Sequence, residues 1–241
     1  MKKKILAGIF AGCLLVPGAI AFTGCNEEDK SIYVGSKAGI VKAFAEVENG
    51  GKIVLEKNIV IDDVLVANKK FTLDMNGKTL SNTEDIWNDT EELDDWSLIS
   101  VSRNGNLTIT GDGKFLAKEN DCYAVDICDG GECTIESGKF LGNVSSVYVY
   151  EGELIIKGGE LDIQQLDPVS GRNFTINCYD ANFTAGTANV VITGGTFVNW
   201  NPAAATSESP VANFVHEDYT VNTEVHGEDT WYIVVEAPVA P

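Results

Sequence analysis

Four stretches of this chain are variants of one pattern: NLTITGDGKF (residues 106–115), ECTIESGKF (132–140), ELIIKGGEL (153–161) and NVVITGGTF (189–197). Each sets an apolar–x–Ile segment ahead of a short polar corner carrying glycine, then closes on an aromatic residue or Leu. A looser copy, FTLDMNGKTL, occupies residues 71–80. Ahead of each of the four lies a further alternating segment, at residues 98–101, 123–127, 147–150 and 174–177. The repeating unit is therefore strand, turn, strand, glycine corner, strand, with a period of about 20–30 residues.

A unit that short cannot bury its apolar side chains alone, so neighbouring units must stack and share continuous inward columns. Glycine suits the corners because it accepts backbone conformations that a Cβ resists. Gly113, Gly138, Gly159 and Gly195 are thus expected between strands rather than within them. Period-2 alternation assigns the faces. It predicts inward columns Leu107–Cys133–Leu154–Val190 and Ile109–Ile135–Ile156–Ile192. It predicts two more, Ile99–Val125–Val147–Phe174 and Val101–Ile127–Val149–Ile176.

On these repeats, between about residues 52 and 200, the chain resembles right-handed parallel β-helices of the pectin-lyase-like superfamily. The resemblance implies an all-β, short right-handed parallel β-helix (β-solenoid) with a cap at each end. AGIVKAFAEVENGG reads as an amphipathic N-terminal cap helix with Ile40, Val41, Phe44 and Val47 on one side. DYTVNTEVHGEDTWYIVV reads as a C-terminal β-hairpin cap. The expected organisation is a signal peptide over residues 1–24, an acidic linker over 25–36 and the cap helix over 37–50. The β-helix follows over 51–200, and the C-terminal cap over 201–241.

The basic start Lys2-Lys3-Lys4 and the apolar run behind it, broken by Pro17 and Gly18, read as a secretory signal, too short to span a membrane. Phe22-Thr23-Gly24-Cys25 resembles a bacterial lipobox, which implies lipidation of Cys25, an anchor on the cell surface and no other contact with the membrane. The acidic cluster Asn26-Glu27-Glu28-Asp29 resembles the export signal of surface lipoproteins, and it also suits a solvated linker. The net charge of −19, from 36 acidic against 17 basic residues, repels nucleic acid and anionic headgroups. Partners are then a polysaccharide or another surface protein. Cys122, Cys128, Cys133 and Cys178 form no CxxC pair, and His216 and His226 lie far off, which argues against zinc. A Cys122–Cys128 disulfide is compatible with an exported chain.

No catalytic residue is assigned. Lyases of the resembled fold use acidic calcium ligands beside an Arg or Lys base, yet only Arg103 and Arg172 are available as arginines, and no three carboxylates stack beside either. Paired Asp residues of the hydrolase kind are absent from the outward positions, where only Asp126 appears. No cofactor is expected, calcium being the single candidate through the acidic stretch TEDIWNDTEELDDW at residues 83–96, which lacks the D-x-D-x-D-G spacing. The candidate ligand surface is the outward side of the first strand of each unit, where two rows are predicted: Ser100–Asp126–Tyr148–Thr175 and Ser102–Cys128–Tyr150–Asn177. There Tyr148 and Tyr150, with Asp126 and Asn177, offer rings to stack a sugar and polar groups for its hydroxyls. Trp200 and Trp231 are expected to pack in the terminal cap. The favoured function is a non-catalytic cell-surface adhesion or glycan-binding module; a polysaccharide lyase or glycoside hydrolase acting on an acidic glycan and a structural assembly subunit are the alternatives.

Overall fold

A computed structural model describes residues 31–83, 88–90, 93–95, 97–118, 122–206 and 208–238. The proposed signal, Cys25 and the acidic cluster at 26–29 lie outside these residues. So does much of the acidic stretch at 83–96, where the described backbone forms the antiparallel pair β7 (Asn88–Thr90) and β8 (Leu93–Asp95).

The fold is predominantly β, with parallel sheets. The first sheet is built from β1 (Ser31–Val34), β2 (Gly51–Leu55), β5 (Lys70–Asp74), β10 (Asn106–Thr110), β13 (Gly131–Ile135), β16 (Gly152–Ile156) and β19 (Ala188–Ile192). The second takes β3 (Ile59–Ile61), β6 (Thr79–Asn82), β11 (Lys114–Leu116), β14 (Lys139–Gly142), β17 (Glu160–Ile163) and β20 (Gly195–Val198). The third takes β4 (Leu65–Ala67), β9 (Ser97–Val101), β12 (Tyr123–Ile127), β15 (Val147–Val149) and β18 (Ile176–Cys178). From β2 to β20, apart from the β7–β8 pair, the chain visits the sheets in rotation, first to second to third, and each return lays a strand parallel to its predecessor.

The inward-facing apolar residues of the three sheets belong to one buried cluster. In the first sheet, Leu107, Cys133, Leu154 and Val190 are in register, as are Ile109, Ile135, Ile156 and Ile192, matching the alternation. The second sheet contributes the column Ile59–Leu80–Phe115–Phe140–Leu161–Phe197. Within it, Phe115 and Phe140 stack at 4.7 Å and 8°. The glycine corners superpose: Gly138, Gly159 and Gly195 all hold φ near +100° (105°, 92° and 101°). A Cβ at Gly159 or Gly195 would press within 2.9 or 3.3 Å of the carbonyl of the preceding glycine in that row. Both conformation and space therefore require glycine here.

The third sheet departs from the expected register. Ile176, not Phe174, pairs with Val147, and Cys178, not Ile176, pairs with Val149. Phe174 is only half-buried. The cause lies just before the strand. The Thr175 carbonyl accepts from both Ser146 and Val147 N–H, while Asn173 Oδ1 accepts from the Thr175 amide and hydroxyl. That turn delays the strand by two residues, which alternation cannot detect because a two-residue slip keeps every side chain on its face.

Both ends are covered. The helix α1 (Lys37–Glu46) starts at Ser36, whose side chain accepts from Gly39 N–H, and buries Ile40, Ala43 and Phe44. Phe44 meets Phe71 edge-on at 5.2 Å. The helix stops at Glu46 instead of reaching residue 50, because Val47 turns to ψ 134° and Lys69 Nζ occupies the Ala45 and Val47 carbonyls. Residues 31–34, expected in the linker, form β1 by pairing with β2. At the other end β21 (Tyr219–His226) and β22 (Asp229–Glu236) make an antiparallel hairpin, and β22 extends the second sheet by pairing antiparallel with β20. Trp200 and Phe214, both buried, continue the apolar column beyond Phe197. Trp231, by contrast, stacks on His226 at 4.1 Å in the hairpin.

Candidate ligand-binding surface

The outward side of the third sheet carries two rows. Val66, Ser100, Asp126, Tyr148 and Asn177 are in register in the first. The second follows the hydrogen bonds that continue beyond the strands, Cys128 N–H to Val101, Tyr150 to Ile127 and Tyr179 to Val149, so that Ser102, Cys128, Tyr150 and Tyr179 align. The two-residue shift of β18 thus corrects the sequence-based rows: Asn177 joins Tyr148 rather than Tyr150, and Tyr179 takes the place expected for Asn177.

The shift gathers aromatic rings. Tyr123 lies 5.2 Å from Tyr148, Tyr148 6.4 Å from Tyr150, and Tyr150 5.0 Å from Tyr179, centroid to centroid, with tilts of 31°, 44° and 30°. Tyr150 is 43% exposed and Tyr179 42%. Tyr148 is half-buried between Tyr123 and Tyr150. Burial raises the Tyr148 phenol well above its ordinary value, and the Tyr123 ring, the Asp126 carboxylate, Tyr150 and Tyr179 push the same way. Its hydroxyl stays protonated throughout the physiological range. Tyr179 is held in place because it leads directly into α2 (Asp180–Ala185), a helix the repeat pattern did not predict. Asn182 Nδ2 of α2 donates to the Tyr150 carbonyl at 2.6 Å, and Phe183 meets Phe214 at 5.6 Å.

The remaining predicted group behaves differently. Asp126, expected on an open face, is only 5% exposed and accepts from Ser100 Oγ at 3.3 Å. β9 is buried on both of its faces, and four of the five β12 residues are buried. The open part of the outward surface therefore lies toward β15 and β18, and the charge of the Asp126 carboxylate bears on it by raising the Tyr148 phenol. The tyrosines at 123 and 179 escaped sequence reasoning. Tyr179 follows Cys178 and was legible only once the register of β18 was known; Tyr123 opens β12 beside a doubled hydrogen bond of Ala124 and Val125 to the Ser146 carbonyl, which disturbs simple alternation.

Arg103 sits with φ 53° in a tight turn, stacked on the Asp129 turn of the next circuit, where Asn104 N–H donates to the Asp129 carbonyl. Cys122 and Cys128 are not disulfide-bonded to each other. The five residues of β12 separate them, and at ~3.3 Å per residue an extended strand holds their Cα atoms well beyond the ~7 Å limit of such a bond. Among the described residues, no group of three or more His, Cys, Asp or Glu side chains converges to hold a metal ion, and no helix is long and apolar enough to cross a membrane. No family model matches the chain, and comparison with curated proteins and with solved structures finds no significant match.

Proposed function

We propose that this chain is a surface-displayed, non-catalytic glycan-binding module, built as a short right-handed parallel β-helix and anchored to the bacterial membrane through lipid on Cys25. The β-helix reading is supported by the rotation of the strands from β2 to β20 through three sheets, each return parallel to the last, around one core. The pectin-lyase-like kinship rests on the repeats alone. The observation that carries the binding function is the row of tyrosines from Tyr123 to Tyr179, an aromatic surface flanked by the polar Asn177. Rings of this kind stack on the apolar faces of sugars while hydroxyl and amide groups bond their rims. An exposed phenol side chain gains little by facing water, so clustering several on one face has a functional reading that isolated ones lack.

Pull-down on insoluble and immobilised polysaccharides tests the proposal, with parallel measurement of new reducing ends and unsaturated uronide. Retention that is lost in Tyr148→Ala and Tyr150→Ala, without product, is expected. Product formation would replace the binding module with a lyase or hydrolase. Failure of every glycan to retain a folded protein would point instead to a protein partner or an assembly role.

A further inference from the structure

We infer that the tyrosine surface selects an uncharged glycan chain laid along the direction in which the strands stack, and rejects uronate polymers. The inference rests on the glycan-binding reading above and adds the ligand's charge class and its direction. The direction follows from the rings. Tyr148 and Tyr150 lie two residues apart on one strand and its continuation, whereas Tyr123 and Tyr179 extend the set to the neighbouring strands on either side. The centroid steps of 5.2 and 5.0 Å cross between strands, which themselves recur every ~4.8 Å, and the 6.4 Å step that joins them runs along one strand, so the strip spans three strands with one offset. A linear sugar chain following that strip meets a new ring at each step. A globular ligand or a single sugar meets only part of it.

The charge class follows from what surrounds the strip. The two outward rows, Val66–Ser100–Asp126–Tyr148–Asn177 and Ser102–Cys128–Tyr150–Tyr179, hold a carboxylate and no lysine or arginine. Glu151 and Asp180 adjoin Tyr150 and Tyr179 along the chain, Arg103 adjoins Ser102 at the far end of its row with Asp129 beside Cys128, and the molecule as a whole carries −19. A uronate brought to these rings finds no cation in either row to pair with and is desolvated beside Asp126, whose field already reaches Tyr148. An uncharged pyranose chain meets no such penalty.

Affinity electrophoresis of the purified protein decides it, in gels carrying a soluble neutral β-glucan, a neutral mannan, polygalacturonate or alginate. The inference expects retardation by a neutral polymer and none by the two uronates. It expects retardation to survive added salt, since no ion pair is involved, and competition to strengthen with oligosaccharide length. Tyr150→Ala and Tyr179→Ala, at exposed positions where folding tolerates truncation, should each weaken retention about tenfold. Equal or stronger retardation by polygalacturonate or alginate overturns the charge selection while leaving glycan binding intact. Retention by a neutral polymer that Tyr179→Ala does not weaken overturns the strand-crossing path. No retardation in any gel, with melting curves showing a folded protein, overturns this inference and the glycan-binding reading together.

Discussion

Replacing Phe140 by alanine tests the packing of the core more sharply than any other single change. Phe140 is 1% exposed, stacked at 4.7 Å on Phe115 and in register with Leu161 on its other side. Truncation empties the middle of a column whose neighbours are fixed by parallel backbone pairing on both sides and cannot easily close over the gap. A buried Phe→Ala change costs ~3–5 kcal/mol, and with little room for collapse the expected value is about 4 kcal/mol. Phe140→Leu keeps most of the volume, matches the Leu already present at positions 80 and 161, and loses mainly the ring pair, about 1–1.5 kcal/mol. Urea unfolding followed by circular dichroism measures both. At a slope of ~2–3 kcal/mol per molar, the alanine variant should move the midpoint down by roughly 1.3–2 M. A loss below about 1.5 kcal/mol for alanine, or equal losses for alanine and leucine at unchanged slope, would refute the continuous, tightly packed column.

Other outcomes follow from the same geometry. Gly142→Ala should be far more damaging than Gly171→Ala: a Cβ at 142 overlaps the Ser145 carbonyl, whereas at 171 it meets nothing and only the φ of +69° is strained. The Gly171 variant should lose about 2–4 °C in Tm for roughly 1 kcal/mol of strain, and thermal melts giving equal losses would contradict the close approach at 142. Burial pushes the Cys133 and Cys178 thiols up to about 12, the Cys178 thiol also feeling Glu208 and Asp180. The folded chain thus holds these protons more tightly than the unfolded one. The associated stability is fully present below the ordinary thiol value of 9.0 and declines as pH rises from there toward 12. Urea midpoints on either side of pH 9.0 should fall less steeply in a Cys133→Ala, Cys178→Ala double variant, and both thiols should resist maleimide until the protein unfolds.

Much of this architecture was legible because two local rules agree over several units. Strict alternation in residues 107–109, 133–135, 154–156 and 190–192 chooses the inward face, and a glycine corner at nearly constant distance after each Ile fixes where the chain turns. The third sheet was less legible because the links that precede its strands vary in length. One of them contains β7 and β8, and another runs from Ile163 to Ile176. No sequence spacing carries the register across such links.

By itself, then, the sequence determined which residues of the first sheet face inward, where the glycine corners fall and that the units must stack, since each of these depends only on neighbours along the chain. The tertiary structure alone decided that β18 starts at Ile176, that Tyr179 and Tyr123 flank Tyr148 and Tyr150, and that Asp126 is buried. A slip of two residues leaves alternation unchanged, so only hydrogen bonds between distant segments can choose among the allowed registers. Whether an outward side chain meets solvent depends on what else packs against its sheet, and that is set by the whole fold rather than by the strand that carries it.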